Sequence, residues 1–226
     1  MPLVLPISDA VPTTARVSER TYQTLLDKVI TREIAPGEVL EERRLAEVMQ
    51  VSRTPMRAAL NRLLGEGMLT RLSNGSIMVR VFGATELLEL LHVRRLLESD
   101  AAAMATGRIP TDKLTAMRKR FESLIQKSDV ATDDDWTLDN EVHALIAEHC
   151  GNKSMATIIA DARLRVRMCN VERMPGRAVL ARQEHLAIVI ALHQGDAAQA
   201  REAMAIHLEN VRSAYLQSMG FAYHVA

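Results

Sequence analysis

The chain has 226 residues, 48% hydrophobic and 25% charged, an ordinary globular composition with room for one large or two small domains. Its longest apolar run, Leu186 to Leu192, is far too short to span a membrane. With 28 basic residues against 28 acidic ones, bulk charge gives no reason to expect nucleic acid, a membrane or an acidic substrate.

That balance is uneven along the chain. Between Arg43 and Arg80, seven arginines face only Glu47 and Glu66. Two cysteines, Cys150 and Cys169, lie outside any C-x-x-C and are too few for a disulfide framework, which fits a reducing cytoplasm. The apolar patch from Leu3 to Ile7 is broken by Pro6 and preceded by no basic residue, so it does not read as a secretory signal. Residues 1–16, with Pro2, Pro6, Pro12 and Thr13-Thr14, read as a mobile arm.

From Ser18, Tyr22, Leu25, Leu26, Val29 and Ile30 follow helical spacing up to Ala35-Pro36-Gly37. A short segment from Glu41 to Met49 turns Leu45, Val48 and Met49 inward, and Gln50-Val51 makes a turn. A helix then runs from Arg53 to Leu64, with Ser52 as N-cap and Pro55 in its first turn. Beyond Gly65 and Gly67 the period falls to two. Met68 to Leu72 and Ile77 to Val81 form a small hairpin about Ser73-Asn74-Gly75. Helix, short helix, turn, helix and hairpin is the order of a winged helix-turn-helix, placed at residues 17–82. From residue 83 to 226 helical spacing dominates, over Ala84–Thr106, Thr111–Lys127, Asp133–His149, Lys153–Val171, Ala178–His193 and Asp196–Met219. The fold class is therefore mostly α, a winged helix-turn-helix followed by an all-α bundle.

A helical wheel for the segment from Arg53 puts Met56, Ala59, Leu60 and Leu63 on one side and Thr54, Arg57, Ala58 and Asn61 on another, with Arg53 at the border. Arginines near a helix start oppose the macrodipole, so helix stability does not explain Arg53 and Arg57. An anionic partner would: a helix fits the DNA major groove and an arginine fork fits guanine O6/N7, while Arg43 and Arg71 could hold phosphates. A solvated basic face on an ordinary helical hairpin has the same pattern, and spacing alone does not separate the two. The runs Leu40-Glu41-Glu42-Arg43-Arg44-Leu45-Ala46, Val51 to Leu60 and Leu63-Leu64-Gly65-Glu66-Gly67-Met68-Leu69, however, resemble the DNA-binding domain of GntR-family bacterial transcription regulators. The resemblance implies that Arg43, Arg53 and Arg57 contact operator bases or adjacent phosphates. Ser52, Thr54 and Asn61 would lie beside them, and Ser73, Asn74 and Gly75 would form the wing tip. Two residues depart from the family pattern: Ala58 stands where Glu is common, and Gln50 where Gly is frequent.

In the second domain, Asp139 and His143 are one helical turn apart. His185 and His207 flank the turn at Gly195-Asp196 at roughly 15 and 18 Å along their helices, so antiparallel packing brings them to one level. Three imidazoles and a carboxylate suit zinc above all, with nickel, manganese or iron as alternatives. Each residue taken singly could equally be a packed histidine or a surface pair. Glu89 to Glu98, Asp139-x3-His143 with Gly151-Asn152, Glu184-His185-x2-Ile188, Gly195-Asp196-x3-Ala200 and His207 resemble the FCD effector domain of FadR-type GntR regulators. That resemblance implies a divalent metal on Asp139, His143, His185 and His207, and a small carboxylate effector also held by an arginine. Arg94 is the first candidate, unless it pairs with Glu98 at i+4; of Arg163, Arg165 and Arg167 on a later helix only one or two can face a cavity, the sequence does not say which, and Arg165 is taken as the second candidate. The function expected is a ligand-responsive regulator that binds a palindromic operator as a homodimer, with no membrane partner. The alternative is a metal-dependent hydrolase using the same four ligands, although Glu184, the nearest general base, lies about 100° round the helix from His185.

Overall fold

The computed structural model describes residues 13–127, 132–169 and 176–219. They form two compact units, one ending at Val81 and the other starting at Phe82.

The first unit contains helix α1 (Thr13–Ile30), strand β1 (Val39–Leu40), α2 (Glu42–Val48), α3 (Arg53–Gly65), β2 (Leu69–Arg71) and β3 (Ile77–Val79). Helix α1 packs on α3, burying Tyr22, Leu25, Leu26 and Val29 with Met56, Ala59, Leu60 and Leu63, the apolar stripes read from helical spacing. Three details differ from the sequence reading. Helix α1 starts at Thr13, so Thr13–Arg16, assigned to the arm, are helical, and the remainder of that arm lies outside the described residues. The hairpin gains β1 as a third antiparallel strand in the order β1-β3-β2; two residues are too few to show alternation. Val48 is 68% exposed and Ala46 is buried instead, because this short helix rests on α3 through a small side chain.

Gln50 makes the turn between α2 and α3 at φ 53°, a left-handed conformation usually left to glycine. At the wing, the amide of Gly75, φ 86°, donates to the Leu72 carbonyl at 2.9 Å, and Ser76 N donates to Asn74 Oδ1 at 3.0 Å. Ser73, Asn74 and Gly75 are all exposed.

The second unit contains α4 (Ala84–Ala105), α5 (Thr111–Ile125), α6 (Asp133–His149), α7 (Lys153–Met168), α8 (Ala178–Gln194) and α9 (Ala197–Ser218). These bounds fall within a few residues of those expected from periodicity; the expected end of the fourth helix at Val171 lies outside the described residues. Helix α4 packs on α6, α7 and α9, while α8 packs on α5 and α9. Ala101, Ala102 and Ala105 of α4 are fully buried, which lets backbones approach closely. The caps explain the sharp boundaries. A Thr132/Asp135 capping box starts α6, Asn152 accepts from Met155 N at the start of α7, and Asp196 accepts from Gln199 N at the start of α9.

Candidate metal centre and nucleic-acid interface

In the first unit the sequence-derived candidates lie on α2, α3 and the wing. Arg43, Ser52, Arg53, Thr54, Arg57 and Asn61 are all exposed. Ser52 occupies the N-cap position of α3 in extended backbone, but its side chain makes no capping hydrogen bond. Arg43 pairs with Glu47 one turn on, at 2.9 Å. Arg53 and Arg57 both pair with Glu42 of α2, at 3.3 and 3.0 Å. At the wing, Arg71 donates to the Gly75 carbonyl at 3.1 Å. The basic residues therefore stand on a rigid frame whose apolar side is fully used in the core.

In the second unit three helices bring the four predicted ligands together. Helix α6 supplies Asp139 and His143, α8 His185 and α9 His207, and one donor atom from each lies within 4.8 Å of every other. All three histidines are buried and Asp139 is partly so. His143 Nε2 lies 3.3 Å from His185 Nε2, and Asp139 Oδ1 lies 3.0 Å from His185 Nε2 and 3.7 Å from His143 Nε2. Two donors bound to one ion at about 2.1 Å in tetrahedral geometry stand about 3.4 Å apart, so this spacing fits a shared divalent ion. Phe121 of α5 stacks on His185 with ring centroids 5.4 Å apart.

The surrounding groups prepare these ligands. Glu98 of α4 binds His143 Nδ1, and Glu184 of α8 accepts from His207 Nδ1 at 2.8 Å, which leaves Nε2 of each imidazole as the lone-pair donor. Arg163 of α7 donates to Asp139 Oδ2 at 2.7 Å, leaving Oδ1 toward the histidines. Burial pushes His143 down to about 4, with help from the Arg163 charge, and His207 down to about 3, with help from His185; both are neutral, as metal ligation requires. Burial alone would raise the Asp139 and Glu98 carboxyls, but Arg163 holds the first, and Arg94 with His143 the second, well below the usual range.

The sequence reading did not single out Glu98 and Glu184 as supports of the histidines. Glu184, the general base that the hydrolase alternative would need, instead reaches His207 and Asn210 on α9. The arginines also sort differently. Arg94 is buried with its Nε 2.6 Å from Glu98 Oε1, so it reaches the centre through Glu98. Arg165 is not among the residues of the cavity beside His143, and its Nε is buried with no hydrogen-bond partner. That cavity, about 260 Å³, is lined by Arg163 and Arg167 with His143, Ala144, Ala147 and Ile159. The buried positions Ile159, Ala162 and Val166 share a helical face with 163 and not with 165, a signal present in the sequence.

Comparisons with known proteins bear on both units. Residues 17–79 match the model of bacterial regulatory proteins of the gntR family, and residues 89–210 match the FCD domain. The Nta operon transcriptional regulator of Aminobacter aminovorans is 30% identical over 153 residues, which covers 68% of this chain and 72% of that protein. The HTH-type transcriptional repressor RspR of Escherichia coli K12 is 24% identical over 208 residues, 90% of this chain and 91% of the repressor. Among solved structures, E. coli McbR/YncC superposes with a TM-score of 0.74 at 21% identity, covering 93% of this chain and 100% of that one, a likeness of fold. These families and relatives are transcriptional regulators and not enzymes, so the hydrolase alternative is set aside. The chain belongs to the GntR family of bacterial transcription regulators and carries an FCD effector domain behind its winged helix.

Proposed function

We propose that this regulator binds a palindromic operator as a homodimer and that a small organic acid controls it through a divalent metal, most simply zinc, on Asp139, His143, His185 and His207. The observation that carries this reading is the cluster of three buried histidines and one aspartate, in which the outward atoms of His143, His207 and Asp139 are already bound by Glu98, Glu184 and Arg163. Such second partners are what metal-ligating imidazoles and carboxylates require. Nickel, manganese and iron share this donor preference. A bound ion would supply a Lewis-acid anchor for an effector carboxylate. Arg163 and Arg167, which line the adjoining cavity, would hold its second polar group, the role for which the sequence offered Arg94 and Arg165.

On the DNA side, Arg53 and Arg57 at the start of α3 would enter the major groove with Thr54 and Asn61 beside them. Arg43 and Ser52 would hold the adjacent backbone, and Ser73, Asn74 and Gly75 at the wing tip would reach a neighbouring phosphate or groove. One short recognition helix offers few base contacts, and two-fold pairing doubles them across half-sites about 10 base pairs apart. Effector binding would shift the population of bundle arrangements that allow both reading heads to engage, passing through the link from Val81 to Ala84; a coupling of about 1–3 kcal/mol suffices. No described helix is long and apolar enough to cross a membrane.

The test combines elemental analysis of the purified chain with thermal-shift screening against small organic acids, with and without chelator. Stoichiometric metal and an acid that raises the melting temperature only in the metal-loaded protein are expected. Absence of metal after metal-replete expression would overturn the reading.

A further inference from the structure

Glu42 stands in the first turn of α2, where an acidic side chain suits the helix dipole, but the dipole does not explain its contacts with α3. Its carboxylate, on α2, the first helix of the helix-turn-helix, is shared by two arginines of the recognition helix α3. Oε2 accepts from Arg57 Nε at 3.2 Å and Oε1 from Arg57 Nη2 at 3.0 Å, a two-pronged grip on the side edge of that guanidinium. Oε1 also accepts from Arg53 Nε at 3.3 Å. The arginine side chains are 59% and 68% exposed, and exposed ion pairs contribute little to stability. What the grip does fix is direction. A guanidinium carries five N–H groups in one plane, and with Nε and one Nη–H engaged, its outer edge of two Nη groups remains. That edge is the fork that fits guanine O6 and N7. A carboxylate between the two arginines also repels an approaching phosphate, which disfavours their collapse onto the DNA backbone.

We propose that Glu42 is a specificity-determining positioning residue: by holding the inner edge of Arg57, and Arg53 through its Nε alone, it aims their outer edges at bases and keeps them off phosphates. This rests on the reading that Arg57 contacts a base. The alternative for Glu42 is simple charge compensation at the arginine-bearing start of α3, which would alter stability or affinity without altering base choice.

The test uses the full chain, a duplex selected from a random pool, its single-base-pair variants, and random duplex over a salt series. For Glu42→Ala, discrimination at the base pair read by Arg57 should fall about tenfold, and affinity for random duplex should rise. Its salt dependence should steepen by about one released ion, as a freed arginine takes a phosphate. Glu42→Gln, which keeps the shape and one acceptor oxygen, should fall between wild type and alanine, and it serves if the alanine variant is poorly folded. An equal change in affinity on every duplex, or none, would overturn the role of Glu42. Arg57→Ala separates this from the underlying reading: if that variant keeps all base preferences, base contact by Arg57 is itself wrong, whereas lost preference there with intact preference in both Glu42 variants refutes only Glu42.

Discussion

Single residues carry opposite backbone demands in the two units. Gln50 sits at φ 53°, where a side chain costs about 1–2 kcal/mol that glycine does not incur, partly offset by glycine's extra unfolded-state entropy. Gln50→Gly should therefore stabilise the winged helix by about 0.5–1 kcal/mol, seen as a higher melting temperature; a lower one would show that the glutamine side chain contributes contacts worth more than the strain. Gly151 is the reverse case. Its φ is +79°, and a Cβ there would stand 2.0 Å from Arg108 Nη1, which donates to the Cys150 carbonyl. Gly151→Ala should cost more than about 1 kcal/mol in the second unit, measured by denaturant titration. At the proposed metal site, His185→Ala should abolish stoichiometric metal while DNA binding without effector persists. Unchanged metal content in that variant would remove His185 from the site.

At the scale of elements, the centre depends on the register of α4, α6, α8 and α9. Glu98 and Glu184 each hold one imidazole by Nδ1, so Glu98→Gln and Glu184→Gln should weaken metal binding about 10–100-fold, measured by competition with a chelator. Metal affinity unchanged in both would mean that the carboxylates only fill the interior. Much of this level was legible beforehand. The stop signals at Gly107-Arg108-Ile109-Pro110, Gly151-Asn152 and Gly195-Asp196 set the helix bounds, and the spacing of His185 and His207 about Gly195 foretold their meeting. Strand β1 was not legible, because two residues carry no period, and neither was the start of α1 at Thr13, where prolines upstream mask a helix that has little apolar stripe in its first turn. The choice between Arg163 and Arg165 turns on a 200° difference round one helix, visible only when the buried face of α7 is traced through Ile159 and Val166. Glu42 was out of reach, since its link to Arg57 spans 15 residues across a turn whose geometry depends on Gln50.

For the whole molecule, the buried imidazoles make the metal-free state acid-sensitive. His143 at about 4 and His207 at about 3 lie below the ordinary value near 6.5 that they regain on unfolding. The unfolded chain thus binds more protons across that interval, so their contribution is complete above about pH 6.5 and is lost progressively as the pH falls toward 4. Melting temperatures of the metal-free chain from about pH 8 to about pH 5 should decline on the acid side; a flat profile would place these rings in contact with solvent. The most direct measurement of regulation is competition of the full chain between genomic DNA fragments and excess random duplex at fixed salt, with metal present, before and after addition of small organic acids. One two-fold symmetric site should be held about 1,000-fold or more above random duplex, and one acid should change that ratio at least about fivefold in the metal-loaded protein and not in His185→Ala. Equal affinity for every fragment, with and without acids, would contradict it.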